Sequence, residues 1–212
     1  MTRAGQARLL VRPTARLASW SALPAADAVA LAMLQFDAPQ VIELRLAAIA
    51  LCVGAAFVLD DPAAQSLAAS PTPLLFRRLL RIVLLVPLVG VLWAVVLWHA
   101  GASFTTALTL ELATMLVVTL AAAALAAPLA PDGRGGLAAA PALLITLTAA
   151  LLLLPAGWTL FVADPADPAW ETSHLRWALL LGAAVAAFLA ASRDPANPRA
   201  RVGRLRRGTD GP

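Results

Sequence analysis

Lysine and tyrosine are absent from this 212-residue chain, cysteine occurs once, and charged residues make up only 13% of it. Each shortage closes a chemistry. Without lysine there is no P-loop Gly-Lys-Ser/Thr to cradle nucleotide phosphates, and no amine for Schiff-base catalysis. The lone Cys52 has no internal disulfide partner and sits in an apolar run, where a thiol behaves as a small hydrophobe. The scarcity of charge accompanies 61% hydrophobic residues and a mean hydropathy of +0.82. Soluble domains run at roughly 45–50% apolar and about 25% charged, so a water-soluble globule of this size is excluded. The composition points to an all-α, polytopic membrane helix bundle.

About 20 apolar residues cross a bilayer core of roughly 30 Å. Four uncharged runs meet that length, at about 79–98, 105–127, 138–161 and 174–192. The last has His174 and Arg176 at its start, which requires the arginine to snorkel to the interface. Two weaker candidates lie upstream. Segment 41–59 is apolar only beyond Glu43 and Arg45, and 17–36 carries Ser19, Ser21, Pro24, Asp27 and Gln35. Each reads either as a span or as an interfacial helix.

The arginines, which are all 16 of the basic residues, favour six spans. Arg3, Arg8, Arg12 and Arg16 precede the first candidate, and Arg77, Arg78 and Arg81 follow the second. Arg134 lies between the fourth and fifth, and Arg193, Arg199, Arg201, Arg204, Arg206 and Arg207 form the tail. With six spans all four clusters share one side, and the positive-inside rule makes it the cytoplasmic face of the plasma membrane, with both termini inside. Arg45 and Arg176 then fall at outer ends of spans, as do Trp93, Trp98, Trp158, Trp170 and Trp177. A four-span arrangement with 17–59 lying along the interface is the alternative. The chain divides into a basic cytoplasmic N-terminus (1–16), a transmembrane domain (17–192) and a tail (193–212) whose arginines, prolines and glycines read as a disordered lipid-facing topology determinant. The net charge of +4 is thus explained by the membrane and not by nucleic acid.

Few residues offer chemistry. Glu111 is the one acid well inside a clear span, about 10 Å from its outer end. It either bonds Thr106, Thr114 or a polar group of another helix, or it contacts substrate or protons. His99 and His174 belong to different helices and read as interface histidines; a metal site needs a third ligand. Asp60 and Asp61 precede Pro62, a pattern that suits a helix cap better than a divalent-ion site.

The segment 60–81 is the most distinctive. It runs from Asp60 and Asp61 through a short helix ending in Leu67-Ala68-Ala69-Ser70-Pro71, then reaches Arg77 and Arg78 before the next span. In this order, and between the second and third spans, it resembles the coupling-helix loop of type-2 ABC exporter permeases. The alanine- and arginine-rich composition is also similar to membrane subunits of high-GC actinobacteria. The resemblance implies a permease that exports a small or lipid-like substrate and holds no cofactor itself. ATP-Mg would be bound by ABC ATPase subunits in trans, and a second permease chain, identical or homologous, would complete the pathway. It further implies that the loop 60–78 meets the ATPase, with Asp60, Asp61, Gln65, Leu67, Ser70, Pro71, Arg77 and Arg78 as the coupling residues. On this reading the chain is not itself an enzyme. The contrasting expectation is a non-catalytic accessory or assembly subunit of another membrane complex. An intramembrane lipid enzyme is a third, and it would have to use Glu111, His99 or His174.

Overall fold

The computed structural model describes Thr14, Trp20–Gln35, Gln40–Asp60, Pro73–Ser103, Thr105–Ala130, Arg134–Leu154, Trp158 and Leu160–Arg193. Among these residues there is no strand, and six helices follow one another: α1 (Ala22–Met33), α2 (Gln40–Ala56, extended by a 3-10 turn over Phe57–Leu59), α3 (Leu74–Ala100), α4 (Thr105–Ala126), α5 (Gly136–Leu153) and α6 (Ala169–Ala191). Four segments are long and apolar enough to cross a membrane: Gln40–Leu59, Leu74–Ala100, Thr105–Ala126 and Ala169–Ala191. The protein is an all-α membrane protein.

Two expected spans differ in extent. In place of 17–36 the helix covers Ala22–Met33, 12 residues, or roughly 18 Å at 1.5 Å per residue, short of a bilayer core. The third uncharged run, 138–161, is helical over Gly136–Leu153 and becomes extended at Leu154, because Pro155 disfavours the helical conformation in the residue before it. Within α5, Pro141 sits in the second turn, and within α3, Pro87 lies mid-helix; both are tolerated in an apolar setting.

Helix α4 is the centre. It packs against α2, α5 and α6, while α2 also carries α1, α3 and part of α5. Its glycine- and proline-free sequence suits a buried helix. Its threonines bond their hydroxyls to the preceding turn, exposed Thr109 to Thr105 O at 2.6 Å and buried Thr119 to Met115 O at 2.8 Å. Thr114 shares its one proton between Leu110 O (2.9 Å) and Trp177 O (3.2 Å), which joins α4 to α6. Small residues let backbones approach. A Cβ added at Gly54 would lie 2.5 Å from Ala26 Cβ, so α1 and α2 touch through this glycine.

The helices alternate in direction. Gly54, near the end of α2, meets Ala22 and Leu23 at the start of α1. The end of α2, the starts of α3 and α5 and the ends of α4 and α6 are gathered by Asp60, Arg78 and Arg81. The starts of α2, α4 and α6 meet at the opposite end through Arg45, Glu111 and His174. The described chain therefore enters and leaves the bundle at the same end, the one marked by Arg78.

α3 and α6 are the peripheral helices. On α3 the buried positions Arg78, Arg81, Leu85, Val89, Trp93 and Val96 form one stripe with helical spacing, while Val83 and Val91 on the other side are more than half exposed. On α6, Leu175 and Leu179 are likewise exposed. Apolar faces of this kind are what a lipid-bathed helix presents.

Candidate functional site

The two ends of the bundle are built differently. At one end three residues that sequence reasoning treated separately come together. Arg45 on α2 donates from Nε and Nη2 to Oε2 and Oε1 of Glu111 on α4, both at 2.7 Å. This bidentate fork is the geometry in which guanidinium and carboxylate bind most strongly. Glu111 is 1% exposed and Arg45 7%, and charges this deep persist only when paired.

His174 on α6 completes the cluster. Its Nδ1 lies 2.8 Å from Trp170 O; a carbonyl only accepts, so this nitrogen carries a proton. Its Nε2 stands 3.1 Å from Glu111 Oε1, yet out of line for a hydrogen bond. A second proton on the ring turns that contact into an ion pair. The cluster is thus formally neutral with a neutral imidazole and singly positive with an imidazolium. Aromatic rings enclose it, with the Arg45 guanidinium 5.5 Å from the Phe161 ring and 6.0 Å from the Trp170 ring. Trp170 also lies against His174, their centroids 4.5 Å apart.

Two clefts flank the cluster. One, of about 520 Å³, is lined by Thr106, Ala107, Leu110, Trp170, Glu171 and His174. The other, of about 420 Å³, opens between α2 and α5 and is lined by Arg45 with Ile42, Leu46, Leu144, Leu147 and Phe161 among its walls.

Of the two readings open for Glu111, the polar partner on another helix is present, and it is Arg45. His174, expected as an interface residue, stands in the cluster instead, whereas His99 ends the exposed tip of α3. α2, α4 and α6 thus bring together three polar residues that lie far apart in the sequence. Among the described residues no group of His, Cys, Asp and Glu forms a metal site. The outer tryptophans divide. Trp98 and Trp158 are exposed, but Trp93 and Trp177 are buried and donate inward to Thr109 Oγ1 and Leu160 O, each at 3.0 Å.

At the opposite end, Asp60, Arg77 and Arg78 are described, and Asp61, Gln65, Leu67, Ser70 and Pro71 lie outside the described residues. Asp60 is buried. Its Oδ1 accepts from Gly136 N–H at 2.8 Å and so caps α5. Burial pushes its carboxyl above the ordinary carboxylate range, opposed by the Gly136 hydrogen bond and by the Arg134 and Arg81 charges. Arg81 Nη1 donates to Leu59 O and Asp60 O, both at 2.9 Å. Arg78, also buried, donates to Ala191 O (2.9 Å), Ser192 Oγ (3.1 Å) and Ala124 O (3.2 Å). It thus closes the ends of α4 and α6, whose last carbonyls have no partner within their own helices. Arg77 is half-buried beside it.

No protein-family model, no curated protein and no solved structure matches this chain.

Proposed function

We propose that this protein is the permease subunit of an ATP-driven exporter whose ATPase subunits are separate chains. The observation that carries the reading is how the segment 61–72 is fastened. On one side it is preceded by Asp60, which is bonded to the start of α5 and beside Arg81 of α3. On the other it is followed by Pro73, five residues before Arg78, which is bonded to the ends of α4 and α6. A load on this loop is therefore passed to five helices through buried, directional hydrogen bonds, which is what a coupling element must do. The Leu-Ala-Ala-Ser-Pro phrase within the loop supplies the likeness to a coupling helix.

On this reading the Glu111 end is the part that shifts. Along α6, His174 and Ser192 are 18 residues apart, roughly 27 Å, so movement at the braced end reaches the ionic cluster through a rigid helix. A second permease chain would complete the pathway, and Mg-ATP would be bound by the partners.

The test is purification of the tagged chain from its own host in nanodiscs, with mass spectrometry of what stays bound. Recovery of a P-loop ATPase in equal amount, lost in the Leu67→Glu variant while the six-helix bundle still melts normally, is the expected result. Recovery of the chain alone, or with a complex lacking an ATPase, contradicts the proposal and leaves the accessory-subunit reading in its place.

A further inference from the structure

The fork between Arg45 and Glu111 uses only Nε and Nη2 of the guanidinium. Among the described residues no acceptor meets Nη1, and this nitrogen is not sealed in the protein as the buried unbonded atoms are. Arg45 also lines the α2/α5 cleft. The side chain is otherwise 92% enclosed, its exposure being 8%. A charged donor held open in an apolar cleft at membrane depth is costly unless something in the cleft accepts its proton.

The cleft specifies what that is. Its walls are aliphatic, with Ile42, Leu46 and Ile49 of α2 facing Leu144 and Leu147 of α5, and its polar groups are Arg45 and Thr148. From Ile42 to Ile49 it runs about 10 Å along α2, and at about 420 Å³ it lies near the lower end of ligand-pocket sizes. That is room for about the first half of one long hydrocarbon chain, the rest extending into the bilayer. Glu111 occupies the Nε and Nη2 edge of the guanidinium, and a carboxylate oxygen in the cleft would accept from the remaining donor, Nη1, in a charge-assisted hydrogen bond.

We infer that this cleft is a binding site for a long-chain fatty acid, its carboxylate bound by Arg45 Nη1 and the first part of its chain laid between α2 and α5. The site belongs to this chain alone, so it does not depend on the ATPase reading, and its test contains no ATPase.

The test measures binding of radiolabelled palmitate to the full chain in phosphatidylcholine nanodiscs. The expected result is saturable binding of one palmitate per chain. Binding weakens at least about ten-fold for methyl palmitate used as competitor, for Leu46→Trp, which fills the cleft, and for the Arg45→Met/Glu111→Met pair, which removes the donor without orphaning a charge. Leu179→Trp, on the exposed face of α6, leaves binding unchanged. Melting temperatures identify any variant that fails to fold, and Leu46→Trp then decides alone, since it touches no buried charge. Absence of saturable binding, unchanged binding in Leu46→Trp, equal competition by the methyl ester, or native mass spectra showing a diacyl phospholipid held in place of palmitate would each overturn the inference.

Discussion

Arg45 and Glu111 hold each other in a setting where neither is stable alone. Removing one partner leaves an uncompensated buried charge, which costs about 3–5 kcal/mol, whereas replacing both with apolar residues of similar size is close to neutral. Arg45→Met and Glu111→Met should therefore each destabilise the detergent-solubilised protein by that amount, and the double variant should recover most of it. A double-mutant cycle of thermal unfolding checks this; additive losses would mean that the pair is not the unit described. Asp60 gives a second residue-scale prediction. Asp60→Asn keeps the oxygen that accepts from Gly136 N–H and should melt near the wild type. Asp60→Ala loses the cap and about 1–2 kcal/mol. The residues of the ionic cluster were visible in the sequence one by one as isolated polar groups in apolar runs. Their meeting was not, because each lies on a different helix. The available signal was depth: Arg45 stands five residues past Gln40, Glu111 six past Thr105 and His174 five past Ala169, and alternating helices put equal depths at one level.

At the scale of elements, the start of α5 depends on two glycines, Gly135 against α4 and Gly136 against the end of α2. A Cβ at Gly135 would overlap the carbonyl oxygen of Ala123, and backbone of α4 cannot yield as a flexible side chain does. Gly135→Ala should then push α5 off α4 and cost about 1–3 kcal/mol. Normal stability of that variant would show that the two helices are not in such close contact. Uncharged length made α3, α4 and α6 legible, and α2 too once its first charged turn was allowed. The extent of α1 was not legible, because Ser, Pro and Asp in 17–36 fit a short helix and a span alike. The end of α5 was missed by reading an uncharged run as helix throughout, although Pro155 marked the break. The tryptophan pattern misled in part, since indoles suit membrane interfaces and buried bundle positions equally and only packing separates Trp93 and Trp177 from Trp98 and Trp158.

For the whole molecule, alternation places the described beginning and end of the chain, and the residues Asp60 and Pro73 that flank segment 61–72, at the end braced by Arg78 and Asp60. Composition showed the membrane class and the arginine clusters marked this end, but no periodicity could reveal that buried arginines also tie it together. Arg78 was read as a topology signal and coupling residue and Arg81 only as a topology signal, yet their guanidiniums bond the carbonyls of Ala191, Ala124, Leu59 and Asp60 and the hydroxyl of Ser192. The permease reading requires this end to face the cytoplasm, where an ATPase could reach the loop. Single cysteines at Ser70, Asp164 and Gly208, with the buried native Cys52 as a silent background, measure it through labelling by a membrane-impermeant maleimide. Asp164→Cys should label in intact cells, and Ser70→Cys and Gly208→Cys only after lysis. Labelling of Ser70→Cys from outside would place the loop beyond reach of any ATPase and contradict the account.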